Sequence, residues 1–227
     1  IALVAVVLSF AAGATDAFAF LQFNGVFTAN MTGNLVLGGL INRPGYGTSI
    51  AAILTAILIF AATLFLALRF MTSDAPTRRT AALLTLAVLA QFTIFVSWWM
   101  WPGAHTPLAV VGLVGLSTIA MGCQTAVSKR IDSASGVTTT YVTGTITSLM
   151  ADAADRKPQP VGIRLGVIAA LVLGALTGAV LISANPLLGA ALPIIPGAAA
   201  ALVMTTSTPP DGVRPLSHLT GSTPDQL

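Results

Sequence analysis

From Ile50 to Leu68 the chain runs without one charged side chain. Five further stretches do nearly the same: Ile1 to about Leu21, Ala81 to Trp99, Leu108 to about Val127, Ile163 to Ile182, and Leu187 to Met204. Each is close to the roughly 20 residues that cross a bilayer core as an α-helix. A soluble domain of this size carries about a quarter of its residues as charges. Here the charged share is 7% against 55% hydrophobic, so polar groups cannot cover the surface. The composition therefore specifies a polytopic membrane protein whose first partner is the lipid bilayer. A net charge of +3 is then no sign of nucleic-acid binding, and ten basic residues in short loops read as topology signals. Ile1 already lies inside an apolar run, which is long for a signal core and reads as a true span.

Two stretches fit this pattern poorly. "GVFTANMTGNLVL" (Gly25–Leu37) and "GVTTTYVTGTITS" (Gly136–Ser148) are long enough to enter a membrane yet rich in Thr, Asn and Gly. Loop charge constrains them. If both crossed, or only the second, the ten basic residues would divide five and five. If neither crossed, or only the first, nine would lie on one side with Arg43 alone on the other. The second stretch is therefore expected to turn back, and the rule is silent on the first.

A shift of 111 positions aligns Gly25-Val26 with Gly136-Val137, Thr28 with Thr139, and Thr32-Gly33 with Thr143-Gly144. Gly13 and Gly122 correspond after a gap of two. Each half then holds three spans and one re-entrant segment. Three is odd, so the halves enter from opposite sides and form an inverted-topology repeat, with a seven-span arrangement as the rival. The expected fold class is all-α and polytopic, with about six transmembrane helices plus two broken Thr-Gly segments. Residues 1–106 form the first repeat, with its re-entrant segment near 25–40. Residues 107–204 form the second, with its segment near 136–150. The Pro/Ser/Thr-rich residues 205–227 read as a disordered tail. Pro193 and Pro196 are expected to kink the last span. Six spans place both termini and the basic loops in the cytoplasm, and Trp98, Trp99 and Trp101 at an outer interfacial belt.

"AAGATDAF", "GVFTANMTGNLVLGG", "AMGCQTAVSKR" and "GVTTTYVTGTITSL" together resemble the YoaK family, domain of unknown function 1275. The pattern falls on Gly13 and Asp16, Met31 to Asn34, Met121 to Gln124, and Thr139 to Gly144. It covers the chain to about Met204 and implies a bacterial integral membrane protein of the cytoplasmic (inner) membrane. The family name itself assigns no activity.

Asp16 is the only acid deep in an apolar run. A charge at the bilayer centre costs about 2.5–3.5 kcal/mol on insertion scales, so such a residue faces a cavity or a partner. Two roles are open: a proton-coupling carboxylate, or a cap on the segment that follows. In the Thr-Gly segments glycine lets the helix break and the backbone approach a ligand. Broken helices at membrane depth must be buried in protein or line a wet cavity. Asn30, Thr32, Gly33, Asn34, Thr140, Thr143 and Gly144 are the candidate substrate-binding residues. The competing role is a structural knot in which these groups satisfy one another. Gln124 is expected to support the site by hydrogen-bonding the re-entrant backbone. Gly162, Gly166, Gly174 and Gly178 recur on one helix and suit either an internal contact or a homodimer.

No cofactor motif, metal-ligand cluster, paired carboxylates or Ser/His/Asp set is found, so an enzyme is not expected. Lone His105 and His218 make a metal site poor. The expected function is a secondary transporter or channel for a small polar or anionic solute, coupled to protons through Asp16, with one repeat rocking on the other. The alternative is a non-transporting membrane scaffold whose polar motifs only tie helices together.

Overall fold

A computed structural model describes residues 2–71, 76–101, 106–135 and 142–206. Most of these residues are helical, with no strand among them. The elements are α1 (Ala2–Gln22), α2 (Met31–Gly39), α3 (Tyr46–Phe70), α4 (Pro76–Met100), α5 (Pro107–Ser135), α6 (Val142–Ala154), α7 (Val161–Ala184), α8 (Pro186–Ala191) and α9 (Ile194–Thr206). Six segments are long and apolar enough to cross a membrane: α1, α3, α4, α5, α7, and α8 with α9 taken together. The two Thr-Gly stretches supply the short helices α2 and α6. Thr139, Thr140 and the tail from 207 onward lie outside the described residues.

The last span breaks at Leu192 and Pro193, between α8 and α9. Pro196 lies in the first turn of α9, where a missing N–H costs little, so Pro193 alone makes the break.

Two apolar cores stack along the bundle. One joins Val4 and Leu8 of α1 to Leu83, Leu84, Val127 and Ala200. The other joins Phe18, Phe23 and Val26 to Ile53, Ile94 and Val114. Trp98 faces into the bundle and not outward as a belt residue would. It is 6% exposed, and its ring meets Phe18 at 5.2 Å and Phe23 at 5.9 Å. Trp99 and Trp101 are exposed, as a belt requires.

The packing follows an exchange pattern. α1 packs on α7 as α5 packs on α3; α1 meets α9 as α5 meets α4; α2 lies on α3 as α6 lies on α7. Glycine marks the matched crossings. A Cβ on Gly13 would collide with the main chain at Leu171, and one on Gly174 with the carbonyl of Phe10. A Cβ on Gly122 would lie 2.9 Å from the Thr63 side chain. The glycine face of α7 is therefore occupied within the chain at Gly174 and Gly178, against Phe10, Ala14 and Ala17, and is no free dimer surface. Gly166 meets Val6, and only Gly162 looks onto open space. The sequence halves interlock: α1 packs chiefly on α7 and α5 chiefly on α3, each across the two halves.

Candidate functional site

The site begins where α1 stops. Phe23 and Gly25 donate back to the carbonyls of Ala19 and Phe20, and Asn24 (φ 58) and Gly25 (φ 71) turn left-handed. That five-residue back-bond closes the helix and, with the Phe23 bond, satisfies the carbonyls of Ala19 and Phe20. Phe23 and Val26, both 0% exposed, pin the turn into the core. The chain then runs back beside its own helix. Oδ1 of Asp16 accepts the N–H groups of Thr28 and Ala29, each at 2.8 Å, and the Thr28 hydroxyl at 3.4 Å. Asp16 lies six positions before the end of α1, so at 1.5 Å per residue the loop has returned by about 9 Å.

Asn34 fixes the other side of the loop. Its Oδ1 accepts the N–H of Phe27 at 3.0 Å, and its Nδ2 donates to the Phe27 carbonyl at 2.7 Å. The amide mimics a peptide partner and is fully buried. In this geometry both polar atoms of the Asn34 amide are engaged by the Phe27 main chain, so Asn34 clasps the loop. Asn30 caps α2 by accepting the Gly33 N–H at 3.0 Å, and Ser117 of α5 donates to the Thr28 hydroxyl at 3.2 Å.

These contacts leave a cleft of about 1150 Å³ beside α1. Asp16, Asn30, Thr32, Gly33, Thr143 and Gly144 all line it. Three stretches far apart in sequence thus meet at one cavity, including both Thr-Gly pairs. The three hydrogen bonds from Thr28 and Ala29 all fall on Oδ1, and the Asn30 N–H also turns toward the carboxylate. Asp16 is both the cap of the returning loop and a wall of the cleft. Thr140 lies outside the described residues.

Comparison with known proteins fixes the kinship. Residues 4–206 match the family model described as "Protein of unknown function (DUF1275)". The chain belongs to the DUF1275 family. It is also 33% identical over 150 residues to the UPF0700 transmembrane protein YoaK of Bacillus subtilis (strain 168), a match spanning 66% of this chain and 65% of that protein. No solved structure matches it. The DUF1275 match runs from α1 into the last turn of α9, so it encloses the whole cleft.

Gln124 of this DUF1275 chain lies elsewhere. Its Nε2 donates to the Leu8 carbonyl of α1 at 2.8 Å, not to the Thr-Gly backbone. With Thr15 and Gln91 it surrounds a small internal cavity of about 10 Å³, and Gln91 Nε2 reaches Thr15 Oγ1 at 3.2 Å. This polar layer ties α1 to α4 and α5.

On the far wall, α6 buries Thr145 and Leu149. Its fixing point is ionic. Arg164 Nη1 of α7 donates to Asp152 Oδ2 and to Gln159 Oε1, both at 2.7 Å, while Gln159 Nε2 reaches the Leu149 carbonyl at 3.2 Å. Arg164 is only 7% exposed.

Sequence reasoning missed the aromatic lining. Phe20 and Phe27 stack at 4.8 Å with 25° between planes, and both line the cleft together with Phe60. Phenylalanine is ordinary in membrane helices, so only the repeat of polar residues beside it could have drawn attention there.

Proposed function

We propose that this protein moves a small polar solute across the bacterial cytoplasmic membrane, as a secondary transporter or a channel, without chemistry on the solute. One observation carries this reading: both Thr-Gly segments and Asp16 converge on a single cleft. Its volume is of the order that holds an organic ligand, typically about 300–1,000 Å³. The neutral donors and acceptors of Asn30, Thr32 and Thr143 supply orientation, and Gly33 makes room for the Phe27 ring and the Asn30 cap at the wall.

In this reading α2 and α6 are re-entrant half-helices of an inverted repeat, which the exchange pattern of helix contacts supports. Both helices begin at the cleft, as half-helices around a midplane site do. The moving parts are α2 and α6 against the interlocked frame of α1 with α7 and α3 with α5. Asp16 is the titratable side chain lining the cleft among the described residues, and it couples the solute to a proton. The side holding nine of the ten basic residues is cytoplasmic, and so is the C-terminus.

The hydrogen bonds of Asp16 and Asn34 to the returning loop favour a second reading, a scaffold that moves nothing. Thermal-shift screening of purified protein against small metabolites separates the two, because a ligand of the folded state raises its apparent stability. A transporter yields a ligand-specific shift that Thr32→Val and Thr143→Val abolish while the unliganded melting point stays. A scaffold yields no shift with any solute.

A further inference from the structure

We propose that the ligand of this cleft is an organic cation: a molecule with an ammonium or similar positive group on an apolar body. The inference rests on the solute-site reading above and names its substrate class. Four features of the lining converge on it.

The first is charge. Among the described lining residues Asp16 is the one ionisable side chain. The basic group at this loop, the Arg43 guanidinium, stands beside Gly25 and is not part of the lining. A single carboxylate in a low-dielectric cleft draws a cation and rejects an anion.

The second is the carboxylate's geometry. Its hydrogen bonds to Thr28 and Ala29 gather on Oδ1, so a cation can engage Oδ2 without displacing them. The third is aromatic. Phe20, Phe27 and Phe60 present rings to the same cleft, and ring faces attract cations most strongly where water is excluded. The fourth is the rest of the wall, where Ile57, Leu64 and Leu171 offer apolar surface to a hydrocarbon body.

The helix starts at α2 and α6 pull the other way, since a helix N-terminus favours an anion. Each amounts to roughly half a charge at most. At α2 the Gly33 N–H is already taken by Asn30. With that N–H engaged, the Asp16 carboxylate, when ionised, is the larger charge on the wall and sets the sign.

The test uses an isosteric pair of opposite charge, tetraphenylphosphonium and tetraphenylborate. Binding of each is measured to the full-length protein in nanodiscs of zwitterionic lipid, with empty nanodiscs as background. The expected result is saturable phosphonium binding, no saturable borate binding, and a loss of at least roughly tenfold in phosphonium affinity in Asp16→Asn. Asparagine still offers Oδ1 to the loop, so that variant is designed to fold. If it does not, Phe20→Leu and Phe60→Leu must weaken phosphonium binding while leaving the melting point near that of the parent.

Equal binding of both ions, or preference for the borate, overturns the proposal. So does phosphonium binding that neither Asp16→Asn nor the Phe variants weaken. If instead a neutral or anionic metabolite gives a thermal shift that Thr32→Val removes, while phosphonium does not bind, the cation inference fails and the solute-site reading stands. If folded protein binds nothing of either charge, both fall.

Discussion

Oδ1 of Asp16 receives the main-chain N–H of Thr28 over 2.8 Å, from a residue twelve positions further along the chain. One acid thereby decides where the loop after α1 returns, and so where the first Thr-Gly pair meets the second. The fold and the site share this residue. Its substitutions should separate the two roles.

Asp16→Ala strips the acceptor from the Thr28 and Ala29 N–H groups, whereas Asp16→Asn keeps one. Leaving buried donors without partners costs about 1–3 kcal/mol each. The alanine variant should therefore unfold well below the asparagine variant in detergent, read as apparent melting temperature. Equal melting points would show that the loop does not depend on this acceptor.

Asn34→Leu removes both bonds to Phe27 and should destabilise by about 2–4 kcal/mol, from two orphaned main-chain groups. Thr32→Val, at an exposed position on the same helix, should cost less than about 0.5 kcal/mol. A Thr32→Val loss as large as that of Asn34→Leu would place Thr32 in the knot as well.

Accessibility offers an independent check. In a Cys123→Ala background, single cysteines at Thr32 and Thr143 should react readily with a water-soluble thiol reagent, because both residues line the cleft. Cysteines at Thr28 and Asn34, each 0% exposed, should react far more slowly. Equal rates at all four positions would contradict the described loop.

Gly13→Leu and Gly174→Leu should abolish stable expression, since each side chain would enter the main chain of the opposing helix. Gly162→Ala meets nothing within 4 Å and should be neutral or gain up to about 1 kcal/mol from helix propensity. Fluorescence-detected size exclusion of tagged protein reads all three.

Removing the Asp152 carboxylate, in Asp152→Asn, takes the countercharge from a guanidinium that is 7% exposed. Asp152 is itself partly exposed, so the cost should be about 1–3 kcal/mol, below the 3–5 kcal/mol of a fully buried pair. The exchange Asp152→Arg with Arg164→Asp should recover part of it. Spin labels on α6 and α7 should report a broadened distance in Asp152→Asn alone.

Much of this architecture could be read beforehand, because six apolar runs are a bulk property that neighbours do not alter. The break at Pro193 was equally legible from the missing N–H. Side-chain roles within the polar segments were not. An asparagine that clasps a loop and one that binds a solute look alike in sequence, and only the Phe27 main chain opposite Asn34 tells them apart. Sequence alone points Gln124 at the Thr-Gly backbone, yet the carbonyl it donates to belongs to Leu8, more than a hundred positions away. Trp98 and Trp99 are neighbours on one helix, but one faces Phe18 and Phe23 while the other faces outward. Helix partnership decided each case, and partnership is long-range information.

The tight crossing of α1 on α7 has a consequence for how the chain assembles. Its closest partner is synthesised some 150 residues later, so α1 waits in the bilayer without its mate while five more segments are made. A gene cut between α4 and α5 would yield two fragments that each lack the other side of their best interface. Neither piece should persist alone, and expressing both together should restore a complex, as two hands close only when the fingers alternate.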